Sequence, residues 1–316
     1  MKRVALCILV GLAALAPVLA TDFQLFRLTN ILTFAIALLG INILVGYNGQ
    51  ISLGHGAFYG IGAYATATLV TYAGVPHWLA VPIAGAICLA AGILFSLPLL
   101  RLELMHLAMA TFAVGAVIPT VAKYKGIEHW TGGGQGMGID VPAVPFGLPL
   151  SFDQWLYLVT LATAAGVFLL AANLLRGRIG RATRAIRDQP LAAQAMGIPL
   201  VAYRAAIFGV SAMLAGIAGA LAALSIRYVG PGMFGVFLSF GFLIGSAVGG
   251  IATLSGAFYG AIFLQFIFLA VGATAQTLHT WNLQLIYGLI LIGFLWLNPH
   301  GVAGAIERAA RWLQRR

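Results

Sequence analysis

The chain has 316 residues, of which 61% are apolar and only 8% charged, with a net charge of +10. An ordinary soluble domain carries roughly 25% charged residues, so a mean hydropathy of +1.00 excludes one and marks an integral membrane protein. The excess of base then reads as cytoplasmic loop charge that fixes orientation, and no nucleic-acid partner is expected.

Segments long enough to cross a bilayer, ~20 residues each, fall at 4–20, 29–47, 56–73, 78–98, 104–122, 154–175, 205–226, 236–252, 256–275 and 282–297. They predict an all-α integral membrane protein, a polytopic bundle of about ten transmembrane helices forming a single domain over 1–316. With both termini in the cytoplasm, thirteen basic residues fall on inside segments: Lys2, Arg3, Arg101, the five arginines from Arg176 to Arg187, Arg204, Arg308, Arg311, Arg315 and Arg316. Outside lie only Arg27, Lys123, Lys125 and Arg227, the asymmetry of the positive-inside rule. The first segment has a rival reading as a cleavable signal peptide, with Lys2-Arg3 before it and Val18-Leu19-Ala20 at its close.

Residues 46–64 stand apart. Glycines alternate there with Asn48, Gln50, Ser52 and His55 inside an apolar neighbourhood. Backbone of that kind is intolerable against lipid, so it is either buried in protein or lines a watery cavity. Discontinuous helices are where transporters handle polar cargo, which makes Asn42, Asn48, Gln50, Ser52 and His55 the candidates for a translocation pathway. A tight cytoplasmic turn whose glycines allow helices to cross is the competing reading. Gly256-Ala257-Phe258-Tyr259-Gly260 echoes Gly56-Ala57-Phe58-Tyr59-Gly60 and hints at a duplicated architecture.

No Asp, Glu, Lys or Arg falls inside any of the ten segments. That argues against a proton-coupled carrier, which buries such groups along its path, and against an intramembrane enzyme. No His, Cys or carboxylate set has metal-ligand spacing, and Cys7 and Cys88 sit in apolar runs that suggest no disulfide. The loop 123–153 is extracytoplasmic, and its run Gly132-Gly133-Gly134 lacks the strand-to-helix context of a phosphate cradle. Small residues at four-residue spacing, Gly241, Gly245 and Gly249, Ala212, Gly216 and Ala220, and Ala215, Gly219 and Ala223, make smooth faces for close helix packing.

Residues 176–204 interrupt the apolar pattern. Arginines this dense are excluded from hydrocarbon, so the stretch is a cytoplasmic loop. Its second half, 190–196, reads as a short helix outside the bilayer: Pro190 suits a first helical position, Asp188 or Gln189 a cap, and Gly197 a left-handed end. Leu191, Ala192, Ala195 and Met196 share one small apolar face, a surface shaped to dock on another protein.

Residues 46–64 resemble the signature near the start of the branched-chain amino-acid permeases, the membrane subunits of ATP-binding-cassette importers. Further matches follow in order: Thr131-Gly132-Gly133 with Gly136-Met137, Gly180-Arg181-Ala182 through Asp188, Ala195-Met196-Gly197-Ile198, Ala215-Gly216-Ile217-Ala218-Gly219, Val248-Gly249-Gly250 and Asn298-Pro299-His300-Gly301. The pattern is more similar to the longer of the two paired permeases. Gln194 stands where an acidic residue is common, which implies one fewer charge contact with the ATPase. Gly134-Gln135 and Ser255-Gly256-Ala257 also depart from the family's usual residues.

The resemblance implies a permease subunit that imports branched-chain or other hydrophobic amino acids across a bacterial inner membrane. Its partners would be a second permease, two cytoplasmic ATPase subunits and a periplasmic substrate-binding protein, with membrane lipid around them. Arg181, Arg184, Ala185, Arg187, Asp188, Leu191, Ala192, Ala195, Met196 and Gly197 would form the ATPase-coupling segment. The chain lacks a phosphate-binding Gly-x-x-x-x-Gly-Lys-Ser/Thr motif, and its only lysines are Lys2, Lys123 and Lys125. It is thus expected to bind no cofactor and to be no enzyme, with ATP and Mg used by the partner ATPases. Alternatives are a permease for another small solute such as urea or short amides, a carrier or channel acting alone, and a membrane scaffold.

Overall fold

The computed structural model describes residues 11, 13–99, 104–140, 144–145, 149–275 and 301–313, with single residues at 288, 293 and 296. Most of 282–297, the first half of 4–20, and Cys7, Arg101 and Asn298 to His300 lie outside these residues.

In chain order the helices are α1 (Ala16–Leu19), α2 (Asp22–Ile41), which runs on into a π-helical turn at Asn42–Tyr47, α3 (His55–Thr71), α4 (His77–Leu99), α5 (Leu104–Ala122) and α6 (Glu128–Thr131). They continue with α7 (Phe152–Arg176), α8 (Arg178–Asp188), α9 (Pro190–Ala195), α10 (Leu200–Ile226), α11 (Val236–Gly249), α12 (Leu254–Ala275) and α13 (Gly301–Leu313). Two short strands, β1 (Met137–Gly138) and β2 (Tyr228–Val229), pair antiparallel. Asp22–Tyr47, α4, α7 and α10 are each long and apolar enough to cross a membrane. The chain is an all-α membrane protein.

Two of the long helices, α2 and α7, start where the sequence supplies caps. Ser151 Oγ accepts the Gln154 N–H at 3.2 Å while Gln154 Oε1 accepts the Ser151 N–H at 3.0 Å, so two free donors of α7 are satisfied at once. Thr21 and Gln24 make the same box at the head of α2. Ser151 Oγ also donates to Asp22 at 3.2 Å, which joins the two helix starts at one end of the bundle.

Helix α10 is the axis. Of its apolar stretch 89% is buried, against 22% for α7 and 39% for α4. The latter two turn side chains such as Leu94, Leu169 and Leu170 outward, as lipid-facing helices do. Small residues let α10 sit that deep. A Cβ on Gly62 of α3 would collide with the Gly216 backbone, and one on Gly219 with the Tyr59 carbonyl. One on Gly92 of α4 would lie 2.6 Å from the Ala212 Cβ. In the other stripe, Gly245 and Gly249 of α11 meet the backbone of Gly260 and Gly256 of α12, while a Cβ on Gly241 would meet no described atom within 4 Å.

The two ends of the bundle differ in charge. At one, Arg227 closes α10 in a left-handed conformation (φ 60°) and reaches α7 through Asp153, with both carboxylate oxygens 2.9–3.0 Å from Nη2. The β1–β2 pair lies beside it. The opposite end carries α8 and its arginines. Because the Arg227–Asp153 pair is partly exposed, at 39% and 26%, Asp153→Asn is expected to cost only about 0.5–1 kcal/mol. A small fall in the thermal midpoint of the purified protein would show it, and an unchanged midpoint would mean that solvent screens the pair.

Candidate functional site

Two features set the site apart from the packing around it: a break in the helices inside the bundle, and the basic segment that reaches it.

The break begins where α2 loosens into the π-helical turn. Gly49 and Gln50 donate to the carbonyls of Val45 and Leu44, and residues 49–54 run without helix. The extended segment climbs back into the bundle. Leu53 N–H meets Thr111 Oγ1 of α5 at 3.0 Å, and Gly56 N–H meets Ser239 Oγ at the start of α11 at 2.9 Å. His55 Nε2 lies 3.1 Å from Ser211 Oγ. Ser211 is the twelfth residue of α10, about 16 Å from its start. Helix α3 thus starts part-way through the bundle and not at its surface. At 17 residues, and 14 for α11, neither helix covers the ~30 Å of a hydrocarbon core alone.

All five polar residues singled out in the sequence stand at this break, and each is 0–3% exposed. Asn42 is satisfied across the bundle. Its Nδ2 donates to the Thr253 carbonyl at 3.0 Å, and its Oδ1 accepts from Ser246 Oγ. Asn48 Nδ2 donates to Gln50 Oε1 at 2.7 Å, and Ser52 Oγ accepts the Gly54 N–H at 3.4 Å. Ser211 spends its single hydroxyl hydrogen on the Gly40 carbonyl at 2.7 Å, so it receives the His55 hydrogen bond and places that ring's proton on Nε2. Asn48 Oδ1, Gln50 Nε2 and His55 Nδ1 are left buried without a partner among the described residues. Unmet polar atoms of this kind cost about 1–3 kcal/mol each.

The break has a counterpart. Residues 49, 51 and 56–60 (Gly49, Ile51 and Gly56-Ala57-Phe58-Tyr59-Gly60) recur at 249, 251 and 256–260, at a constant offset of 200. In both copies the repeated pentapeptide lies in the first turns of a helix, α3 or α12. The two turns touch. A Cβ on Gly46 would lie 2.7 Å from the Cα of Ala252, which itself sits at φ 65°. Gly301, at the head of α13, seals the far side of the second turn against Gly250.

The basic segment differs from the loop expected of it. Arg178 to Asp188 form α8, whose Gly180, Ala182, Thr183 and Ile186 are buried. Arg178, Arg181 and Arg184 are exposed on the other side. Helical spacing was present in the sequence at 179, 182, 183 and 186, but the density of arginine obscured it. Arg184 turns back on the elbow after α7, donating to the carbonyls of Gly180 (3.0 Å) and Leu175 (3.1 Å). A single residue, Gln189, separates α8 from α9. Neither Asp188 nor Gln189 caps α9 with its side chain; Asp188 pairs with Arg187 Nε at 2.9 Å. Gly197 ends the turn at φ 80°. Leu191 and Met196 are 82% and 83% exposed, whereas Ala193 is buried.

Sequence reasoning missed one participant, Ser211, and the contact made by another, Arg187. Ser211 carried no signal beyond being a small residue in a glycine-rich helix. Arg187 is among the expected ATPase-coupling residues, and the structure adds that its Nη1 donates to the Gly46 carbonyl at 2.6 Å.

A profile of the family described as branched-chain amino acid transport system, permease component, matches residues 24–295. The high-affinity branched-chain amino acid transport system permease protein LivM of Salmonella typhimurium is 28% identical over 95% of this chain and 75% of its own length. LivM of Escherichia coli is 29% identical with the same coverage. The autoinducer 2 import system permease protein LsrC of Klebsiella pneumoniae is 32% identical over 59% of this chain and 55% of its own length. No solved structure matches the chain.

Proposed function

Since the chain belongs to the branched-chain amino acid transport permeases, we propose that it is the membrane-spanning subunit of an ATP-driven importer of branched-chain amino acids, powered through α8 and α9. The observation that carries the coupling is α9 itself. A helix that presents Leu191 and Met196 almost fully to solvent, at the end of an arginine-bearing helix, has an apolar face to bury against a protein partner.

In this reading the full chain is one membrane domain of about ten spans with both termini cytoplasmic, in a bacterial inner membrane. It pairs with a second permease, two cytoplasmic ATPase subunits that dock on 176–204, and a periplasmic protein that delivers the amino acid. ATP and Mg are bound by the ATPases and not by this chain. Asn42, Asn48, Gln50, Ser52 and His55 border the translocation route. The unpartnered atoms of Asn48, Gln50 and His55 support that assignment, because a passing polar solute or water can satisfy them without being held tightly.

Labelled leucine uptake into proteoliposomes tests the reading. With the whole importer, uptake is expected to require ATP and the binding protein, and this chain alone should move nothing. Uptake by the chain alone without ATP would establish a carrier or channel instead. Uptake in cells that survives deletion of the chain would overturn the proposal. The likeness to an autoinducer permease makes a different small polar solute the second reading, which the same vesicles decide by competition against leucine.

A further inference from the structure

We propose that Arg187 is the positioning residue that passes ATPase movement into the membrane, by gripping the helix break at Gly46. This inference rests on 176–204 being the docking segment.

The grip is specific. Carbonyls at the end of a helix lack the amides that would normally follow them. Here Leu44 and Val45 are served by Gln50 and Gly49, and the Gly46 carbonyl is served by Arg187, 141 residues away in sequence. The guanidinium makes a second bond to Asp188, so its planar fork is held at two points. Lysine has no such fork. The arginine stem lies over Gly49, where φ is +73° and a Cβ would stand 2.9 Å from Arg187 Cγ. A side chain there would displace the stem, and the left-handed backbone disfavours one in any case.

The connections on either side are short and stiff. Ile186 and Thr183 are fully buried, so α8 moves with whatever it packs on. Arg187 is three residues from Pro190, where α9 begins. Beyond the grip, the backbone of Gly46 lies against Ala252 in the second turn, and Asn42 bonds to Thr253 in the same turn. A displacement of α9 therefore reaches both repeats through one side chain. Among the described residues the other arginines of α8 reach no carbonyl outside their own elbow: Arg181 bonds to the Arg176 carbonyl and Arg184 to those of Gly180 and Leu175.

The experiment uses the whole importer with Arg187→Gln, Arg187→Lys and, as a matched loss of charge from the same helix, Arg178→Gln. Arg187→Gln is expected to keep the ATPases in the purified complex while uptake falls about tenfold or more, the scale of one charge-assisted hydrogen bond. Hydrolysis should then no longer respond to loaded binding protein. Arg187→Lys should recover part of the uptake, and Arg178→Gln should lose far less uptake than Arg187→Gln and keep hydrolysis responsive to loaded binding protein. Equal losses in Arg187→Gln and Arg178→Gln would overturn the proposal in favour of simple charge, and loss of the ATPases from Arg187→Gln would make the residue a docking contact instead. Native-like uptake in Arg187→Gln would also overturn it. Failure of the docking reading shows separately, as ATPases that still bind when α9 is altered. Should the Arg187→Gln chain itself fail to fold and insert, hydrogen exchange in the native complex decides. Trapping the ATPases closed should change protection of amides 46–54 together with 190–196, and a change confined to 190–196 refutes the grip.

Discussion

Ala192→Trp and Ala195→Trp are each expected to leave the chain inserted and folded while stripping the ATPase subunits from it and abolishing ATP-driven uptake. Both positions lie on the exposed side of α9, with Ala193 the one residue of the helix turned inward. An indole at either place therefore projects into solvent, away from the described residues. It does meet the partner. Burying Leu191 and Met196 against another protein is worth about 1.5–3 kcal/mol for each side chain, but only if the surfaces fit. A tryptophan beside them holds the partner off by several ångströms, so both contributions are lost together. A loss of that size corresponds to at least about a hundredfold in association. Copurification from detergent reads the contact and labelled-leucine uptake its consequence; ATPases retained at native levels, with native uptake, would refute docking through α9. Ala193→Trp serves as the contrast, since at 4% exposure that side chain has no room and the fold itself should suffer.

How much of this was legible in the sequence depends on the physics behind each feature. Apolar runs are set by the thickness of the bilayer, so α4, α7 and α10 lie close to the segments drawn for them, within about five residues at each end. Small residues at four-residue spacing announce close packing, and Gly216, Gly219, Gly245 and Gly249 do meet neighbouring backbones. The spacing does not say against what: Gly241 belongs to the same stripe, yet a Cβ there would meet no described atom within 4 Å. Composition also marked 46–64 as backbone that lipid would not tolerate. That α3 starts deep in the bundle was not legible, because it depends on Thr111, Ser211 and Ser239 arriving from three distant helices. The echo at 256–260 was visible as five residues. Its meaning needed the contact between Gly46 and Ala252, which no local pattern encodes. Arg187 shows the same limit, since charge counting assigns it to a surface and geometry gives it a backbone carbonyl to hold.

Gly219→Ala is expected to destabilise the protein severely, although alanine is the better helix former by about 1 kcal/mol. The opposed signs make the test sharp. On an isolated helix the change stabilises; in this bundle the new Cβ falls on the Tyr59 carbonyl of α3. Backbone does not swing aside as a long side chain would, so relief requires α3 and α10 to separate. Separation also opens the crossing of Gly62 on Gly216 and pulls His55 from Ser211. Between helices in lipid the hydrophobic effect supplies no compensating drive, and close packing with interhelical hydrogen bonds is what holds them. The cost should thus reach or exceed the upper end of the ~1–3 kcal/mol typical of overpacking. Gly241→Ala is the internal control: with nothing within 4 Å of its Cβ, it should leave the thermal midpoint unchanged or raise it slightly. Equal midpoints for the two variants, or a Gly219→Ala protein at least as stable as the native one, would contradict the packing of α3 on α10. A loosened crossing would also free the start of α3 from Ser211, so any Gly219→Ala protein that still inserts should bind the ATPases yet transport poorly. That separates damage inside the bundle from damage at α9, where binding itself is lost.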